Sequence, residues 1–295
     1  MPELPEVETI ARGLAKRVTG DVIESVWLGQ KKEPLKSPAA EIASVLEHSR
    51  IVEVRRMGKH IVFDLNDGLK VVGAPSLARG RKSKPRLEEP TPSPSRPAQW
   101  IVHLGMTGRL QVCDPQTEVA KHTHAILKLS SGRELRFVDP RRFGRLSVAA
   151  AAGFYASGVE PLEVDLDRFV GLFHGRKTPI KSALLNQKLL RGVGNIYADE
   201  SLFRAGIRPR RRASSITHDQ LRKLHQSIQE VLNEAIALGG SSVSDYVNAE
   251  GEEGFFQLQH RVYGREGEPC LVCKTLIKRV VIAGRSSHYC PKCQK

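Results

Sequence analysis

Two long stretches of the chain carry apolar residues at the spacing of an amphipathic helix. The first begins at Pro5, which suits the first turn of a helix, and runs to about Val18. The second begins at Thr217, where Gln220 three residues later completes a capping box, and it stops at Gly239. The pattern therefore predicts one helix near the start of the chain and one in its second half.

Between these helices, from residue 22 to about residue 148, short apolar and alternating runs replace the helical pattern. Turn signals separate the runs, and the clearest are Asn66-Asp67-Gly68 and Ser130-Ser131-Gly132. Short alternating runs separated by turns are typical of antiparallel β structure. This part of the chain is therefore predicted to be a β-sandwich or barrel.

The β pattern is interrupted by residues 74–98, which contain six prolines and a run of Arg and Lys. Few of these residues are large and apolar, so the segment has little surface to bury. We interpret it as a disordered insertion between two strands. It is either a charged, solvated segment without a role or an additional nonspecific contact with a polyanionic partner.

Residues 180–209 contain two short helical stretches on either side of the glycine turn Arg191–Asn195, which is typical of a helix-turn-helix pair. The expected fold class is therefore α+β, with an N-terminal helix and an antiparallel β-sandwich or barrel in residues 1–150. A hinge at 151–160 is expected to lead to a helical domain at 161–262 and to a terminal hairpin at 263–295.

Four of the five cysteines lie close together near the end of the sequence. Cys270 and Cys273 form one Cys-x₂-Cys pair, Cys290 and Cys293 form another, and sixteen residues separate the pairs. Each pair can present two thiolates from one tight turn, and two pairs complete the tetrahedron of a zinc site. Two disulfides are the alternative, which a reducing cytosol disfavours. We predict one structural zinc ion, since four cysteines leave no open position for catalysis.

The composition is that of a globular protein with a strongly basic balance, a formal net charge of +14 over 295 residues. Clustered Lys and Arg side chains bind phosphate backbones by displacing counterions, so nucleic acid is the expected partner. An anionic membrane surface fits less well, because no strongly basic amphipathic segment stands out. The sequence has neither a run of about 18 apolar residues nor a signal-peptide pattern, so we expect an intracellular protein without a membrane partner.

Eight motifs occur along the chain in an order that is specific when they are taken together. They are MPELPEVE, KHIVFDL, HLGMTG, DPRRFG, QKLLRGVGNIYADESLF, GGSSVSDY, VYGREGEPC and the paired cysteines. The sequence thereby resembles the formamidopyrimidine-DNA glycosylases, bacterial enzymes that excise oxidised purines, over nearly the whole chain except the insertion. Within this resemblance, residues 1–150 are the catalytic domain, 161–262 carry a helix-two-turn-helix and a lesion-recognition loop, and 263–295 are the zinc finger.

The resemblance implies a bifunctional DNA glycosylase and AP lyase of base excision repair. Such an enzyme excises 8-oxoguanine and formamidopyrimidines from duplex DNA through a Schiff base to its N-terminal proline, and then cleaves the strand by β,δ-elimination. Its partner is double-stranded DNA that contains oxidised bases or abasic sites. We expect a monomer that acts in the bacterial cytoplasm.

The same resemblance assigns the chemistry to the first residues of the chain. Removal of the initiator methionine would leave Pro2 with a free secondary amine, which is the family's nucleophile. The reference pKa of a terminal amine, about 7.7 to 8.0, is far below that of lysine, so more of it is unprotonated near neutrality. Glu3 corresponds to the acid/base that protonates the sugar ring oxygen. Glu6 corresponds to a supporting residue, although capping the first helix is an alternative role.

Four further residues, Lys59, His103, Asn195 and Arg285, match the family's phosphate contacts. Lys59 and Arg285 are grouped with the catalytic residues, and His103 and Asn195 with the DNA-binding residues. Because the four residues come from the β domain, the glycine turn and the zinc hairpin, they would clamp a bent duplex from three elements.

The resemblance also implies residues that fill the gap left when the damaged nucleotide is flipped out of the duplex. Met106, Arg141 and Phe143 match this inserted trio, and Arg141 would contact the orphaned cytosine. Without the resemblance, Met106 and Phe143 would be interpreted as core residues. The glycines that flank both loops favour exposure.

The damaged base is expected to contact the loop that follows the long helix. The residues predicted for this loop are Ser241, Val243, Ser244, Asp245 and Tyr246. Backbone groups do much of the recognition in relatives, and Ser244 stands where some relatives carry a lysine.

Two other functions compete with this interpretation. Endonuclease VIII is a sister enzyme with the same fold and nucleophile but a preference for oxidised pyrimidines, and the MPELPE motif, Phe143 and the SSVSDY loop favour the purine enzyme. A catalytically silent DNA-binding zinc protein is the alternative from another class. The presence of Pro2 and Glu3 at the start of the sequence argues against it.

Overall fold

The first part of the protein is a sandwich of two antiparallel sheets packed against the N-terminal helix. The computed structural model describes residues 1–31, 33–67, 97–150, 153–242 and 254–295. Its first elements are α1 (Leu4–Val18), β1 (Ile23–Leu28), α2 (Ala39–Leu46), β2 (Ser49–Met57), β3 (His60–Asp67), β4 (Ala98–His103), β5 (Arg109–Cys113), β6 (Thr123–Leu129), β7 (Glu134–Val138) and β8 (Arg145–Ala150). One sheet has the strand order β2-β3-β4-β8 and the other has the order β1-β6-β7-β5. The predicted antiparallel sandwich is confirmed.

The two sheets and α1 share one hydrophobic core. Large aromatic side chains from both sheets fill it, among them Phe63, Trp100 and Phe137. On α1 the buried positions follow the predicted helical spacing and include Ile10 and Leu14. Since the burial of each large apolar side chain contributes roughly 1.5–3 kcal/mol, this face fixes α1 against the sheets.

The start of strand β4 shows that the insertion predicted from the sequence ends earlier than residue 98. Ala98, the last residue of the predicted insertion, pairs with Leu65 of β3 and with Ala150 of β8. Alanine carries no strong preference for a strand or a loop, so the sequence alone did not mark where the strand begins. The rest of that prediction, apart from Pro97, lies outside the described residues.

The second part of the protein is helical. It contains α3 (Leu166–Gly171), α4 (Ile180–Leu184), α5 (Asn195–Arg204) and α6 (His218–Ala237), with 3₁₀ turns at Ala213–Ser215 and Phe256–Gln259. The predicted capping box begins α6, because Thr217 accepts a hydrogen bond from the Gln220 N–H and donates its own N–H to the Gln220 side chain. The predicted helix pair is also present, since α4 and α5 lie on either side of the glycine turn.

Helix α1 contributes to both hydrophobic cores. Its first residue, Leu4, packs with Tyr197 in the helical core, whereas Val7 belongs to the core of the sandwich. The Leu4 N–H donates to the carbonyl of Gly192 at 3.1 Å, which ties the helix start to the glycine turn. The first residues of the chain therefore lie at the junction between the sandwich and the helices.

A two-stranded hairpin completes the described fold. Strands β9 (Lys278–Ile282) and β10 (Arg285–Tyr289) pair in antiparallel register, and Ala283 and Gly284 form the turn with positive φ angles. A small third core beside the hairpin contains two of the zinc-site cysteines together with Phe203, Val262 and Ile277. No helix in the described part of the chain is long and apolar enough to cross a membrane.

Candidate active site

The Glu3 carboxyl is buried between the start of α1 and the start of α5. The Ile196 N–H at the beginning of α5 donates to Glu3 Oε1 at 3.2 Å. Gly194, which precedes α5, allows this approach, because a Cβ at this position would overlap the Glu3 carboxyl. The glycine turn predicted for phosphate binding thus also accommodates the predicted acid/base.

Burial is the main influence on the charge of Glu3. The pKa of this carboxyl is raised to about 7: desolvation raises it most and Glu6 adds to the rise, whereas Lys59 and the N-terminal amine oppose it. Among the described residues, the second oxygen Oε2 has no hydrogen-bond partner. A carboxyl with this pKa exchanges protons readily near neutrality, so Glu3 can both donate and accept a proton.

Glu6 does more than cap α1. One of its oxygens accepts the Glu3 N–H at 2.7 Å, which is the capping contact. The other accepts the Ser241 N–H at 2.8 Å and also a hydrogen bond from the Tyr197 hydroxyl. Burial raises the pKa of Glu6, and these three donors oppose the rise. Glu6 therefore joins the start of α1 to α5 and to the residue that opens the predicted lesion-recognition loop.

Lys59 interacts electrostatically with Glu3 on one side and with Arg285 of the hairpin on the other. Lys59 is buried in the tight turn between β2 and β3. Burial lowers the pKa of Lys59, Arg285 lowers it further, and the carboxylates of Glu3 and Glu6 oppose this effect. Arg285 is exposed at the start of β10, directly after the hairpin turn. The structure thus brings three of the predicted catalytic residues into electrostatic contact, with Pro2 next to Glu3 in the chain.

His103 lies at the end of β4 and is a neutral group at physiological pH. Its pKa is lowered to about 4, mainly by burial and to a smaller extent by the neighbouring His60, Lys59 and Arg145. Its Nδ1 accepts the Gly105 N–H at 3.1 Å, which leaves the ring proton on Nε2. His103 can therefore donate a hydrogen bond from Nε2, but it contributes no positive charge.

Asn195 has two neighbours that the sequence analysis did not select. Its Nδ2 donates to Ser286 Oγ at 3.4 Å, and its side chain lies close enough to the Tyr263 hydroxyl to oppose the rise in the Tyr263 pKa that burial causes. Tyr263 belongs to the VYGREGEPC motif, so the motif was the available signal, but no individual role was inferred for it. These contacts connect the glycine turn to the zinc hairpin.

A buried ion pair strengthens the same connection. Lys181 of α4 lies with its Nζ 2.7 Å from Asp199 Oδ1 and donates to the carbonyl of Ser286 at 2.7 Å. Asp199 Oδ2 also accepts the His288 N–H at 2.9 Å. Both charged side chains are buried, and both sets of contacts end on β10 next to Arg285. The pair therefore holds the strand that presents Arg285.

The three residues predicted to enter the duplex, which are Met106, Arg141 and Phe143 and which we call the wedge, are exposed on two adjacent loops. Met106 is 41% exposed and Phe143 is 50% exposed, so neither is a core residue. The guanidinium of Arg141 lies 4.8 Å from the centre of the Phe143 ring, a cation–π distance. Exposed apolar side chains beside a basic one form a surface that can enter a duplex.

Asp139 holds the two wedge loops together, and the sequence analysis missed it. Its buried carboxylate accepts the Thr107 hydroxyl at 2.6 Å from one loop and the Gly144 N–H at 2.7 Å from the other. The Arg141 N–H donates to the same carboxylate at 3.3 Å. Loss of a buried acceptor with these donors costs about 1–3 kcal/mol, so the wedge depends on Asp139.

Of the predicted lesion-recognition residues, only Ser241 lies in the described part of the chain. Besides its N–H contact with Glu6, its hydroxyl lies 3.2 Å from His260 Nε2. Val243, Ser244, Asp245 and Tyr246 lie outside the described residues.

The four clustered cysteines fit a zinc ion. Their sulfur atoms lie within 4.8 Å of one another. The Sγ–Sγ distances are 3.9 Å for Cys270 and Cys293 and 3.4 Å for Cys273 and Cys290. Four thiolates at about 2.3 Å from zinc stand about 3.8 Å apart in a tetrahedron, so the geometry matches a closed structural site. All five cysteines are free, and the alternative of two disulfides is not observed.

The protein matches three family models along its length. One model, described as the formamidopyrimidine-DNA glycosylase N-terminal domain, matches residues 1–146. A second, described as the formamidopyrimidine-DNA glycosylase H2TH domain, matches 158–247, and a third, described as a zinc finger found in FPG and IleRS, matches 267–295. The chain belongs to the formamidopyrimidine-DNA glycosylase family.

Individual relatives agree with this assignment. Formamidopyrimidine-DNA glycosylase from Solibacter usitatus is 43% identical, and the match covers 100% of both chains. The enzyme from Desulforamulus reducens is 39% identical over 100% of this chain and 99% of its own length. The predicted family is therefore confirmed.

Solved structures of the family share the fold. A variant of Lactococcus lactis FPG bound to DNA containing Fapy-dG has a TM-score of 0.83 at 29% identity, with 100% of both chains covered. MutM from Thermus thermophilus has a TM-score of 0.80 at 38% identity, covering 99% of this chain and 98% of that one. These matches confirm the α+β fold, with its sandwich, helix-two-turn-helix and zinc finger.

We expect the zinc site to maintain DNA binding through the hairpin. Cys290→Ser should abolish binding of one zinc ion per chain and weaken affinity for duplex DNA roughly tenfold or more, because Arg285 loses its support. Metal analysis and DNA titration test this, with Cys113→Ser as the matched control, since Cys113 lies on β5 outside the cluster. Absence of zinc from the unmodified protein, or unchanged DNA affinity of Cys290→Ser, would contradict the prediction.

Proposed function

We propose that this protein is a bifunctional DNA glycosylase and AP lyase that removes oxidised purines, 8-oxoguanine and formamidopyrimidines, from duplex DNA in base excision repair. The observation that carries the proposal is the Glu3 carboxyl, buried next to Pro2, with a pKa of about 7 and with Oε2 unpartnered among the described residues. Relatives crystallised with DNA containing Fapy-dG and with DNA containing carbocyclic 8-oxo-G support the substrate class.

The reaction begins at the amine of Pro2 after Met1 has been removed. Its nitrogen forms a bond to C1′ of the damaged nucleotide, and the base departs with the electrons of the glycosidic bond. The nitrogen then loses its proton, which neutralises the departing base. Glu3 transfers a proton to the sugar ring oxygen, the C1′–oxygen bond breaks, and a cationic iminium joins Pro2 to the opened sugar. Because the iminium withdraws electrons, it acidifies the C2′–H bond. The Glu3 carboxylate, which has given up its proton, accepts the C2′ proton as the C3′–oxygen bond breaks and the 3′ phosphate leaves, and loss of a C4′ proton then expels the 5′ phosphate.

The remaining contacts position the DNA for this chemistry. Lys59 and Arg285 bind phosphates as charged groups, whereas His103 and Asn195 bind them as neutral donors. Met106, Arg141 and Phe143 enter the duplex and fill the space left by the flipped nucleotide. The zinc ion takes no part in the reaction and holds the hairpin that carries Arg285.

The domain organisation follows the same division of tasks. Residues 1–150 form the catalytic domain, 151–160 the hinge, 161–262 the DNA-binding domain with its lesion-recognition loop, and 263–295 the zinc finger. The loop residues Ser241, Val243, Ser244, Asp245 and Tyr246 contact the damaged base. The protein acts as a monomer on DNA that contains oxidised bases or abasic sites, in the bacterial cytoplasm.

Borohydride trapping tests the nucleophile and the reaction together. With duplex DNA containing 8-oxoguanine opposite cytosine, reduction of the iminium should fix a covalent complex whose attachment maps to Pro2. The same protein with an added N-terminal residue is the matched control, and it should form no complex because an amide nitrogen is not nucleophilic. A complex formed by the extended protein would disprove the assignment to Pro2, and preferential excision of thymine glycol would favour the pyrimidine-specific alternative.

The pH dependence of base excision should report on Glu3. An acid must be protonated to donate, so the single-turnover rate should fall as the pH rises above about 7, the pKa of this carboxyl. Glu3→Gln should lower the rate by about 10²-fold or more and remove this alkaline fall. Glu24→Gln, an exposed acid on β1, is the control for loss of one negative charge. Persistence of the alkaline fall in Glu3→Gln would assign it to another group.

Arg141 should determine the preference for the base opposite the lesion. Arginine only donates hydrogen bonds, and cytosine offers the acceptors O2 and N3, whereas adenine offers only N1 beside an amino donor. Arg141→Ala should therefore reduce the ratio of excision rates opposite cytosine and adenine by about tenfold, and Arg142→Ala should leave it unchanged. Equal rates opposite cytosine and adenine in the unmodified enzyme would rule out this role.

A further inference from the structure

A buried carboxylate in the segment between the sandwich and the helices binds three donors from two different elements. Glu160 Oε2 lies 2.8 Å from Arg56 Nη1, and Glu160 Oε1 accepts the Gly58 N–H at 2.8 Å and Arg191 Nε at 2.8 Å. The side chains of Glu160 and Arg56 are both buried. We call Glu160, Arg56, Gly58 and Arg191 the Glu160 cluster.

Each donor of the Glu160 cluster belongs to a segment that carries a residue of the active site. Arg56 lies at the end of β2, and Gly58 directly precedes Lys59 in the turn to β3. Arg191 is the first residue of the glycine turn, and Gly194 of the same turn packs directly against the Glu3 carboxyl. The cluster therefore supports both Lys59 and the backbone of the glycine turn, and both of these face Glu3.

Further contacts fix the cluster to its surroundings. Arg56 Nε donates to Glu8 of α1 at 2.7 Å, and Arg191 Nη1 donates to the Ala156 carbonyl at 2.6 Å. Gly58 has a φ of +60°, and a Cβ there would lie 3.3 Å from the Cβ of Arg191, so the two turns are in direct contact. A shift of the Glu160 carboxylate would therefore be transmitted to the turn that carries Lys59.

We propose that Glu160 is a positioning residue for the base-excision reaction, because it holds the Lys59 turn against the glycine turn and thereby keeps the Lys59 ammonium beside the Glu3 carboxyl. The inference rests on the proposed glycosylase function. Glu160 itself contacts neither the DNA nor the reacting atoms, and its effect on the reaction passes through Lys59.

The direction in which the pKa of Glu3 shifts when Glu160 is replaced separates this positioning role from a simple charge effect. Besides Lys59, the titratable groups that act on or are affected by Glu3 are Glu6, the N-terminal amine, Lys181 and Tyr263. Removing the negative charge of Glu160 without any movement would lower the pKa of Glu3. Displacement of the Lys59 ammonium would raise it, because Lys59 lowers the pKa of this carboxyl.

The test compares Glu160→Gln with Glu163→Gln, which removes the same charge from an exposed side chain three residues along the segment. In single-turnover excision of 8-oxoguanine, Glu160→Gln should be about tenfold slower, since small misplacements of catalytic groups cost one to two orders of magnitude. The alkaline limb of its pH–rate profile, which is the fall in excision rate above about pH 7, should move to higher pH. Glu163→Gln should match the unmodified protein in both measurements.

A double-variant cycle with Lys59→Met identifies the route of the effect. If Glu160 acts through Lys59, Glu160→Gln should cause no further loss of rate and no further shift in the Lys59→Met background. Multiplicative losses, an alkaline limb that moves to lower pH, or a rate equal to that of Glu163→Gln would overturn the inference. Failure of the unmodified protein to excise 8-oxoguanine would instead count against the proposed function.

Arg56→Lys tests the same contact if Glu160→Gln does not fold. This variant keeps the positive charge, but one ammonium cannot reproduce the two directed contacts that Arg56 makes with Glu8 and Glu160. It should reproduce the slower excision and the shift of the alkaline limb to higher pH, again only when Lys59 is present. An unchanged rate and pH profile in Arg56→Lys would overturn the proposal.

Discussion

The desolvation of the Glu3 carboxyl against the backbone at Gly194 is the constraint on which the rest of the site depends. It requires that the first turn of α1 and the first turn of α5 meet at a distance that leaves no room for a side chain at residue 194. Leu4 in the helical core and Val7 in the sandwich core supply that proximity, because they anchor one helix in both parts of the protein. The same burial that costs free energy for an ionised carboxylate raises the pKa of Glu3 into the range that acid/base catalysis needs.

The features that the sequence predicted well are those specified by neighbours in the chain. Helical periodicity located α1 and α6, and the capping box at Thr217 depends on residues only three apart. The Cys-x₂-Cys spacing predicted a cluster because each pair determines its own geometry. The family resemblance added what periodicity could not, namely the exposure of Met106 and Phe143, whose apolar character alone favours the core.

The features that the sequence did not predict are buried charges whose partners are distant in the chain. Asp139 binds donors from two loops, Lys181 pairs with Asp199 on another helix, and Glu160 reaches back more than a hundred residues to Arg56. Asp139 and Asp199 lie within two of the family motifs, but nothing in the local sequence marks any of these residues as buried, because surface charges greatly outnumber buried ones. Since an unpaired buried charge is costly, each such group specifies one arrangement of the segments it joins, which is what a site assembled from several elements requires.

Charge and geometry are divided among different residues at the DNA-contact surface. The net charge of +14 provides a long-range, salt-dependent attraction to any duplex, and this attraction carries no information about where the damage lies. Near Glu3, two of the four predicted phosphate contacts are neutral, since His103 has lost its charge through burial and Asn195 never had one. A neutral donor contributes little to attraction from a distance, but its hydrogen bond depends strongly on direction, so it favours the bent backbone over a straight one. Under the proposed function, the residues closest to Glu3 would therefore select the conformation of DNA that presents C1′ to Pro2, and the many exposed lysines and arginines elsewhere would retain the protein on the duplex until that conformation forms.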